Sequence, residues 1–415
     1  MKKIMVFLFV AVSVSFFVFH LNAVASQTQG KERPLVLVHG FLGFGEDEML
    51  GYNYWGGLDS LKSRLEAQGY TVFVAAVGPV SSSWDRACEL FAQIKGGQVD
   101  YGRGHSAHFQ HDRTDPLKNY NGVYPQWDQD HPIHLIGHSQ GGQTVRLLAQ
   151  LLEQGHPGAD KVGYGPDNET SLLFQGGNHG WVTSVTTLST PHDGTTLATG
   201  IDYIPFAQDV ILAIASAVGI FTDDVIYDFK LGQWGLVRNP GESLTDYFAK
   251  VAGSQAFKGT TDTSAWDMDP QDGTLEFNGW VEAQPGIYYF SLSTEQTFRG
   301  FFTGFHLPEL GMNLLFHPST YFLGSYTTDG IDRTWFENDG VVNTISMNGP
   351  KRGSTDVIQE YDGTPVKGVW NHLGCQSIDH TDIIGVLSYP GEYPEGYESL
   401  HAWYLDLAKM LTDLE

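Results

Sequence analysis

The stretch PIHLIGHSQGGQTVRLL, residues 132–148, decides the fold of this chain. It opens with a short apolar run typical of a buried strand, and residues 143–152 repeat apolar side chains at helical spacing. Between the two stands G-x-S-x-G, with Ser139 at its centre. A sharp turn from strand to helix would lift the Ser139 hydroxyl clear of the sheet, as a nucleophilic serine requires. The alternative is a chance match in a chain with 49 glycines.

The rest of the chain alternates strand and helix patterns. Strands are predicted at 34–41, 70–77, 181–189 and 286–291, and helices at 58–68, 84–94 and 400–414. This alternation predicts an α/β protein with a mainly parallel sheet, the α/β-hydrolase fold. The first strand ends in His39-Gly40-Phe41, where such a fold places one oxyanion donor. The backbone N–H groups of Phe41 and Gln140 are therefore the candidate donors, although 34–41 also fits an ordinary strand–loop junction.

Composition excludes several classes of function. The chain has 415 residues, a formal net charge of −25 and 41% hydrophobic residues. Such acidity argues against nucleic-acid binding and against attraction to anionic membranes, and the hydrophobic content is enough for a large core. The two cysteines, Cys88 and Cys375, are too few for a disulfide framework and are expected to be buried thiols.

The N-terminus has the pattern of a secretory signal peptide. Two lysines precede an apolar run at 4–21, and an A-x-A pattern at 23–25 suggests cleavage after Ala25. We therefore expect a signal peptide at 1–25, a secreted protein, and one hydrolase domain over 26–415. A retained membrane anchor is the alternative, but the apolar run is short for a stable span.

A nucleophilic serine needs a histidine base and an orienting carboxylate, in the chain order serine, acid, histidine. His372 and His380 both suit a loop beyond the last strands, and the acids before them are Asp329, Asp332, Asp339 and Asp356. Spacing alone does not choose between these pairs.

The chain resembles the zinc-containing thermoalkalophilic lipases of bacteria, a family of α/β-hydrolases. The similarity runs from about residue 34 to 385 and is carried by short motifs spread along it. These motifs are VHGF (38–41), YWGG (54–57), WDRACE (84–89), HSQGGQT (138–144), TPHDGTT (190–196), YDFK (227–230), QWGL (233–236), ELGMN (309–313), ENDG (337–340), SMNGPKRG (346–353) and DH (379–380).

The resemblance implies a nucleophile at Ser139, an acid at Asp339 and a base at His380. It also implies that the N–H groups of Phe41 and Gln140 form the oxyanion hole. One departure is Gly137, where these lipases usually have alanine; the smaller residue should leave the mechanism unchanged.

His105, His108 and His111 recur at three-residue spacing in an insertion at 96–129 that has no clear period. Without nearby cysteines this is a weak zinc signal, and the alternative is a solvated loop that binds no metal. The resemblance implies a structural zinc held by two aspartates and two histidines, with His108 as an extra residue. The matching positions are Asp85, His105, His111 and Asp262, in an insertion of about 85–125 together with about 230–270.

A calcium site is implied less fully. Gly311, through its carbonyl, and Asp382 match two family ligands, but Leu387 stands where the next acidic ligand would be. Leucine offers no oxygen to a hard cation, so calcium binding is left open unless the loop 390–398 supplies a substitute.

Residues 201–222 correspond to the family's helical lid and carry apolar side chains at helical spacing. A plain core helix would show the same spacing. Together these features predict a secreted triacylglycerol lipase that meets lipid or ester substrate at an interface, with no protein partner implied. The alternatives are a carboxylesterase or polyester hydrolase with the same triad, a zinc-dependent hydrolase, and a non-catalytic binding protein.

Overall fold

The structure is a computed structural model that describes residues 31–156, 171–200 and 227–415. The predicted signal peptide (1–25) and the predicted lid (about 201–222) lie outside the described residues. Within those residues, no helix combines the length and apolar character needed to cross a membrane.

A seven-stranded sheet forms the centre of the described molecule, with strand order β10-β11-β7-β6-β5-β1-β2 and parallel pairing throughout. β3 with β4, and β8 with β9, form separate antiparallel pairs. The prediction of a mainly parallel sheet is confirmed. The strands are β1 (Leu35–Val38), β2 (Val72–Ala75), β3 (Gly97–Gln98), β4 (Asn119–Tyr120), β5 (Ile133–His138), β6 (Val182–Leu188), β7 (Tyr288–Glu295), β8 (Thr297–Arg299), β9 (His306–Pro308), β10 (Ile358–Glu360) and β11 (Trp370–Ser377).

Helices cover both faces of this sheet. They are α1 (Leu61–Glu66), α2 (Ser83–Lys95), α3 (Arg103–Phe109), α4 (Gln140–Gln154), α5 (Leu172–Gln175), α6 (Leu197–Gly200), α7 (Leu244–Gly253), α8 (Gln255–Lys258), α9 (Ser264–Asp267), α10 (Gly273–Asn278), α11 (His317–Leu323) and α12 (Leu400–Thr412). Because successive strand residues point to opposite faces, β1 feeds two cores. Leu35 and Leu37 pack in the core that holds α1 and α12. Val36 and Val38 pack in the core that holds α2 and α4. Both faces being covered explains the continuous apolar run of β1.

The insertion at 96–129 is more ordered than its sequence suggested. It contains the helix α3 and the β3–β4 pair, although no helical period was visible there. The reason is that α3 buries His105 against polar partners and aromatic rings instead of presenting an apolar stripe.

The two cysteines differ from the expectation of two buried thiols. Both are free, Cys88 is buried in the core between α2 and the sheet, and Cys375 is exposed on β11. The expectation fails at Cys375 because β11 lies next to the short edge strand β10, which leaves the end of β11 open to solvent.

Candidate active site

Ser139 occupies a strained turn at the carboxyl edge of the sheet. It lies between β5 and α4 with φ 55° and ψ −131°, a conformation that non-glycine residues adopt only when their surroundings impose it. The turn is closed so tightly that a Cβ on Gly137 would collide with the backbone of Gly141. This explains the glycine at position 137, and it leaves the serine at the start of a 15-residue helix.

Asp339 and His380 meet at this edge. His380 Nδ1 lies 2.7 Å from Asp339 Oδ2, and both side chains are buried. The carboxylate is fixed by three further donors: Thr294 Oγ1 at 2.7 Å, and the N–H groups of Val341 and Val342 at 3.0 and 2.8 Å. A carboxylate held in this way orients the imidazole, with Nδ1 engaged and Nε2 left for a substrate or nucleophile.

The alternative histidine and acids lie elsewhere. His372 sits within β11, where Nε2 is 3.0 Å from Ser293 Oγ and Nδ1 is 3.1 Å from Glu360. Asp356 accepts a hydrogen bond from Trp370 Nε1, while Asp329 and Asp332 are exposed. The structure therefore brings His380 together with Asp339 and not with these residues.

The end of β1 approaches the serine turn closely. A Cβ on Gly40 would collide with the Ser139 side chain, so glycine is required where the two loops meet. Phe41, Ser139 and His380 line one cavity of about 80 Å³, whose walls are mainly apolar and include Phe316. Gln140 is the first residue of α4. Its N–H therefore has no acceptor within the helix and is available to a substrate.

Two residues that sequence reasoning missed connect these loops. The Tyr54 hydroxyl accepts a hydrogen bond from Gly40 N (2.9 Å) and lies 2.6 Å from His138 Nδ1. His138 Nε2 lies 2.9 Å from the His380 carbonyl oxygen. Burial, together with nearby His380, holds the pKa of His138 well below its usual range, so the ring is neutral and Nε2–H donates to that carbonyl. The signal was present in the sequence as the histidine before the serine and the tyrosine of YWGG, but only the fold shows the contact.

A second cluster lies in the insertion. Asp85, His105, His111 and Asp262 each offer one ligand atom, and these atoms all lie within 4.8 Å of one another. His105 Nε2 is 3.2 Å from both Asp85 Oδ1 and Asp262 Oδ2. His111 Nε2 is 3.3 Å from Asp262 Oδ2. The structure thus gathers all four predicted ligands from α2, α3 and two loops.

The donor set suits a divalent cation. Two buried carboxylates and two imidazoles make four nitrogen and oxygen ligands, and a dipositive ion would neutralise the carboxylates. Burial disfavours the charged form of His105, but the adjacent Asp262 and Asp85 outweigh this and raise its pKa to about 9. These carboxylates therefore stabilise positive charge between them, which is also the condition for binding a metal ion.

The surroundings also orient the ligands. His111 Nδ1 lies 2.8 Å from the Asp112 carbonyl oxygen, which directs Nε2 to the cluster. Gln233 Nε2 donates to Asp85 Oδ2 at 2.8 Å, a support that the sequence did not reveal. The Trp84 ring stacks on His105 with centroids 5.0 Å apart. His108 contacts the Phe109 ring and is outside the converging group.

The calcium residues form a weaker set. Asp382 accepts a hydrogen bond from Asp379 N. Gln296 Nε2 donates to Glu392 of the loop 390–398, and a Cβ on Gly311 would collide with both of these side chains. Among described residues, the only converging group of three or more His, Cys, Asp or Glu ligands is the one at Asp85. Gly311 and Asp382 fall short of the six to eight oxygens that calcium takes, and no role is assigned to calcium here.

The chain is similar to known lipases over most of its length. The family profile described as "Lipase-like, C-terminal domain" matches residues 31–415. Lipase 1 of Staphylococcus aureus (strain Mu50) is 35% identical over 374 residues, which cover 88% of this chain and 53% of that protein. The chain therefore spans about half the length of that curated relative.

Two solved structures are similar over most of both chains. EstA from Clostridium botulinum superposes with a TM-score of 0.83 at 44% identity, covering 92% of this chain and 88% of that one. Lipase 1 from Pelosinus fermentans superposes with a TM-score of 0.80 at 45% identity, covering 92% and 99%.

Proposed function

The chain belongs to the bacterial lipase family that the lipase-like C-terminal domain defines, and from this premise we propose that it is a secreted serine ester hydrolase acting on triacylglycerols. The observation that carries the proposal is the buried 2.7 Å contact between His380 Nδ1 and Asp339 Oδ2, at a cavity that Ser139 also lines. The signal-like segment at 1–25 supports secretion.

In this mechanism Ser139 Oγ attacks the ester carbonyl while His380 Nε2 takes its proton. Asp339 keeps the imidazole in the correct tautomer and stabilises its protonated form. The N–H groups of Phe41 and Gln140 hold the oxyanion that develops on the carbonyl oxygen. His380 then donates the proton to the leaving alcohol, and water, activated by the same histidine, releases the acid and restores Ser139.

For the second cluster we propose a structural zinc ion held by Asp85, His105, His111 and Asp262. Four protein ligands close the tetrahedron and leave no position for a reactive water, so bound zinc would supply a cross-link instead of a nucleophile. The two parts of the insertion (about 85–125 and about 230–270) would then be held together, because zinc would join the histidine segment and Asp85 to the segment that carries Asp262. The lid at 201–222 stays a prediction.

The decisive experiment is the Ser139→Ala variant assayed on a soluble short-chain ester. We expect kcat to fall on the order of 10⁴-fold or more with an unchanged melting temperature. A variant that keeps most of its activity would show that the serine mechanism is wrong and would favour zinc-dependent hydrolysis. A serine-directed phosphonate that leaves Ser139 unlabelled would instead favour a non-catalytic binding protein.

The substrate class needs a separate assay. Activity of the wild type on emulsified long-chain triglyceride should exceed activity on a soluble short-chain ester and on aliphatic polyester film. The reverse order, with no rise in rate above the solubility limit of the ester, would identify a carboxylesterase or polyester hydrolase with the same triad.

A further inference from the structure

Two phenylalanines stand almost fully exposed at the tip of the β8–β9 pair. Phe301 is 93% exposed and Phe302 is 96% exposed, in the connection 300–305 between the two short strands. Their ring centroids lie 5.0 Å apart at 89°, so together they form one compact apolar projection. Exposed apolar side chains that stand together, instead of singly, are typical of a contact surface. We call the segment 297–308 the aromatic hairpin.

Two arginines border the same turn. A Cβ on Gly304 would lie 3.3 Å from Arg333 Nη1 and 3.6 Å from Arg299 Nη2, so both guanidinium groups face this one residue. Both side chains are exposed, and within the described residues neither makes an ion pair. Like charges placed together without a carboxylate partner favour an anionic ligand from outside the chain.

The aromatic hairpin is followed along the chain by a residue of the catalytic cavity. After β9 the chain exposes Leu310 completely and Leu314 to 69%, and two residues later Phe316 lines the cavity beside Ser139. Apolar side chains therefore lie exposed along the segment that leads from the hairpin to the site of hydrolysis.

We propose that the aromatic hairpin docks the protein on a lipid–water surface that carries carboxylate groups. Phe301 and Phe302 would insert among the acyl chains, while Arg299 and Arg333 would pair with fatty-acid carboxylates. The choice of a lipid surface rests on the proposed function, because ester hydrolysis releases fatty acid at the surface of its own substrate.

The charge of the chain restricts this contact to the aromatic hairpin. At −25 the protein as a whole is repelled by a surface on which carboxylates accumulate. A local pair of guanidinium groups offsets this repulsion at the point where the aromatic rings enter. A second copy of the chain would bring the same two arginines near each other and gains no such complementarity.

The first test uses the double variant Phe301→Ser/Phe302→Ser and sedimentation with vesicles of phosphatidylcholine and oleic acid. We expect vesicle affinity to fall about 100-fold, since each of the two inserted rings contributes roughly tenfold. The matched control is Leu58→Ser, which removes an isolated side chain that is 85% exposed, and it should bind like the wild type. Equal binding by the double variant and the wild type would overturn the proposal.

The second test separates docking from catalysis. The double variant should keep the wild-type kcat/KM on a soluble short-chain ester while its rate on emulsified triglyceride falls about tenfold. Arg299→Gln/Arg333→Gln should bind pure phosphatidylcholine vesicles like the wild type but lose the gain in affinity that oleic acid gives. An equal loss on both substrates, or an unchanged oleic acid effect, would contradict the proposal.

Failure of the proposed function gives a different result. If the wild type hydrolysed no ester, vesicle binding would still be measurable, and its loss in the phenylalanine double variant would still assign the docking surface. If that variant instead turned a dimer into a monomer in analytical ultracentrifugation without changing vesicle binding, the aromatic hairpin would be a self-association surface and the lipid proposal would be wrong.

Discussion

Asp339 with His380, and Asp262 with His105, are both buried pairs of aspartate and histidine, but they differ in which ring nitrogen meets the carboxylate. Asp339 contacts Nδ1 of His380 and leaves Nε2 without that contact, on a residue that lines a cavity with Ser139. Asp262 contacts Nε2 of His105, which also faces a second carboxylate from Asp85. The first arrangement leaves Nε2 of His380 for proton transfer. In the second, Nε2 of both His105 and His111 faces the carboxylates. The same residue types therefore suit proton transfer in one place and metal binding in the other.

The two regions are also physically connected. Arg86, next to Asp85 on α2, donates hydrogen bonds to the carbonyl groups of Gly78 and His39 and to Thr144 Oγ1 on α4. The Gln140 side chain, beside Ser139, donates to the Ser81 carbonyl and accepts from Ser264 near Asp262. The catalytic loops thus rest on the element that carries the metal cluster, although the two sites remain distinct.

Among the substitutions that test this comparison, Asp339→Asn should have the largest effect. The asparagine would present an amide where His380 needs an acceptor, so the imidazole would lose its tautomer and kcat should fall about 10³- to 10⁴-fold on a soluble ester. Metal content, measured by atomic emission, and the melting temperature should stay close to wild type. A loss of activity below tenfold would show that this pair does not orient the base.

Asp262→Asn should give the opposite pattern. Removing one buried carboxylate from the cluster costs about 3–5 kcal/mol, which lowers the melting temperature on the order of 10 °C and releases the metal. Activity at a temperature well below melting should remain within a few-fold of wild type. If activity disappeared while the melting temperature held, the cluster would have a catalytic role.

How much of this the sequence predicts depends on the range of the contacts involved. The turn at Ser139 and the parallel sheet were predictable because apolar spacing and glycines are local signals. The choice of His380 over His372 was not, since only the fold shows that one leaves the sheet while the other stays within β11. Gln233 and Tyr54 escaped notice for the same reason, since each acts through a partner far along the chain.

Gln233→Leu should weaken metal binding without abolishing it. Loss of the hydrogen bond to Asp85 Oδ2 leaves the ligand less well oriented, and metal affinity should fall about 10- to 100-fold. Competition with a chromophoric chelator measures this change. Gln93→Leu is a suitable control, because that side chain bonds to the backbone of Ala76 and not to a cluster ligand; if both variants lost metal equally, the effect would be general destabilisation.

Tyr54→Phe should have the smallest effect. It removes the hydroxyl that joins Gly40 to His138 through two hydrogen bonds, and each of these contributes about 1 kcal/mol. We therefore expect kcat to fall roughly tenfold with little change in KM. Tyr289→Phe removes a buried hydroxyl that accepts from Gln284 N instead, and should leave kcat unchanged. Equal losses in the two variants would mean that Tyr54 acts only through stability.

The central claim is that the Asp339–His380 pair performs the chemistry with Ser139 while the Asp85 cluster holds structure. The most direct measurement strips the metal from the wild type with a chelator and follows both kcat/KM on a soluble ester and the melting temperature. We expect the metal-free protein to have a lower melting temperature, which zinc restores. Its kcat/KM should be preserved at temperatures well below the melting temperature. Activity that vanishes in proportion to the metal removed, at an unchanged melting temperature, would contradict it.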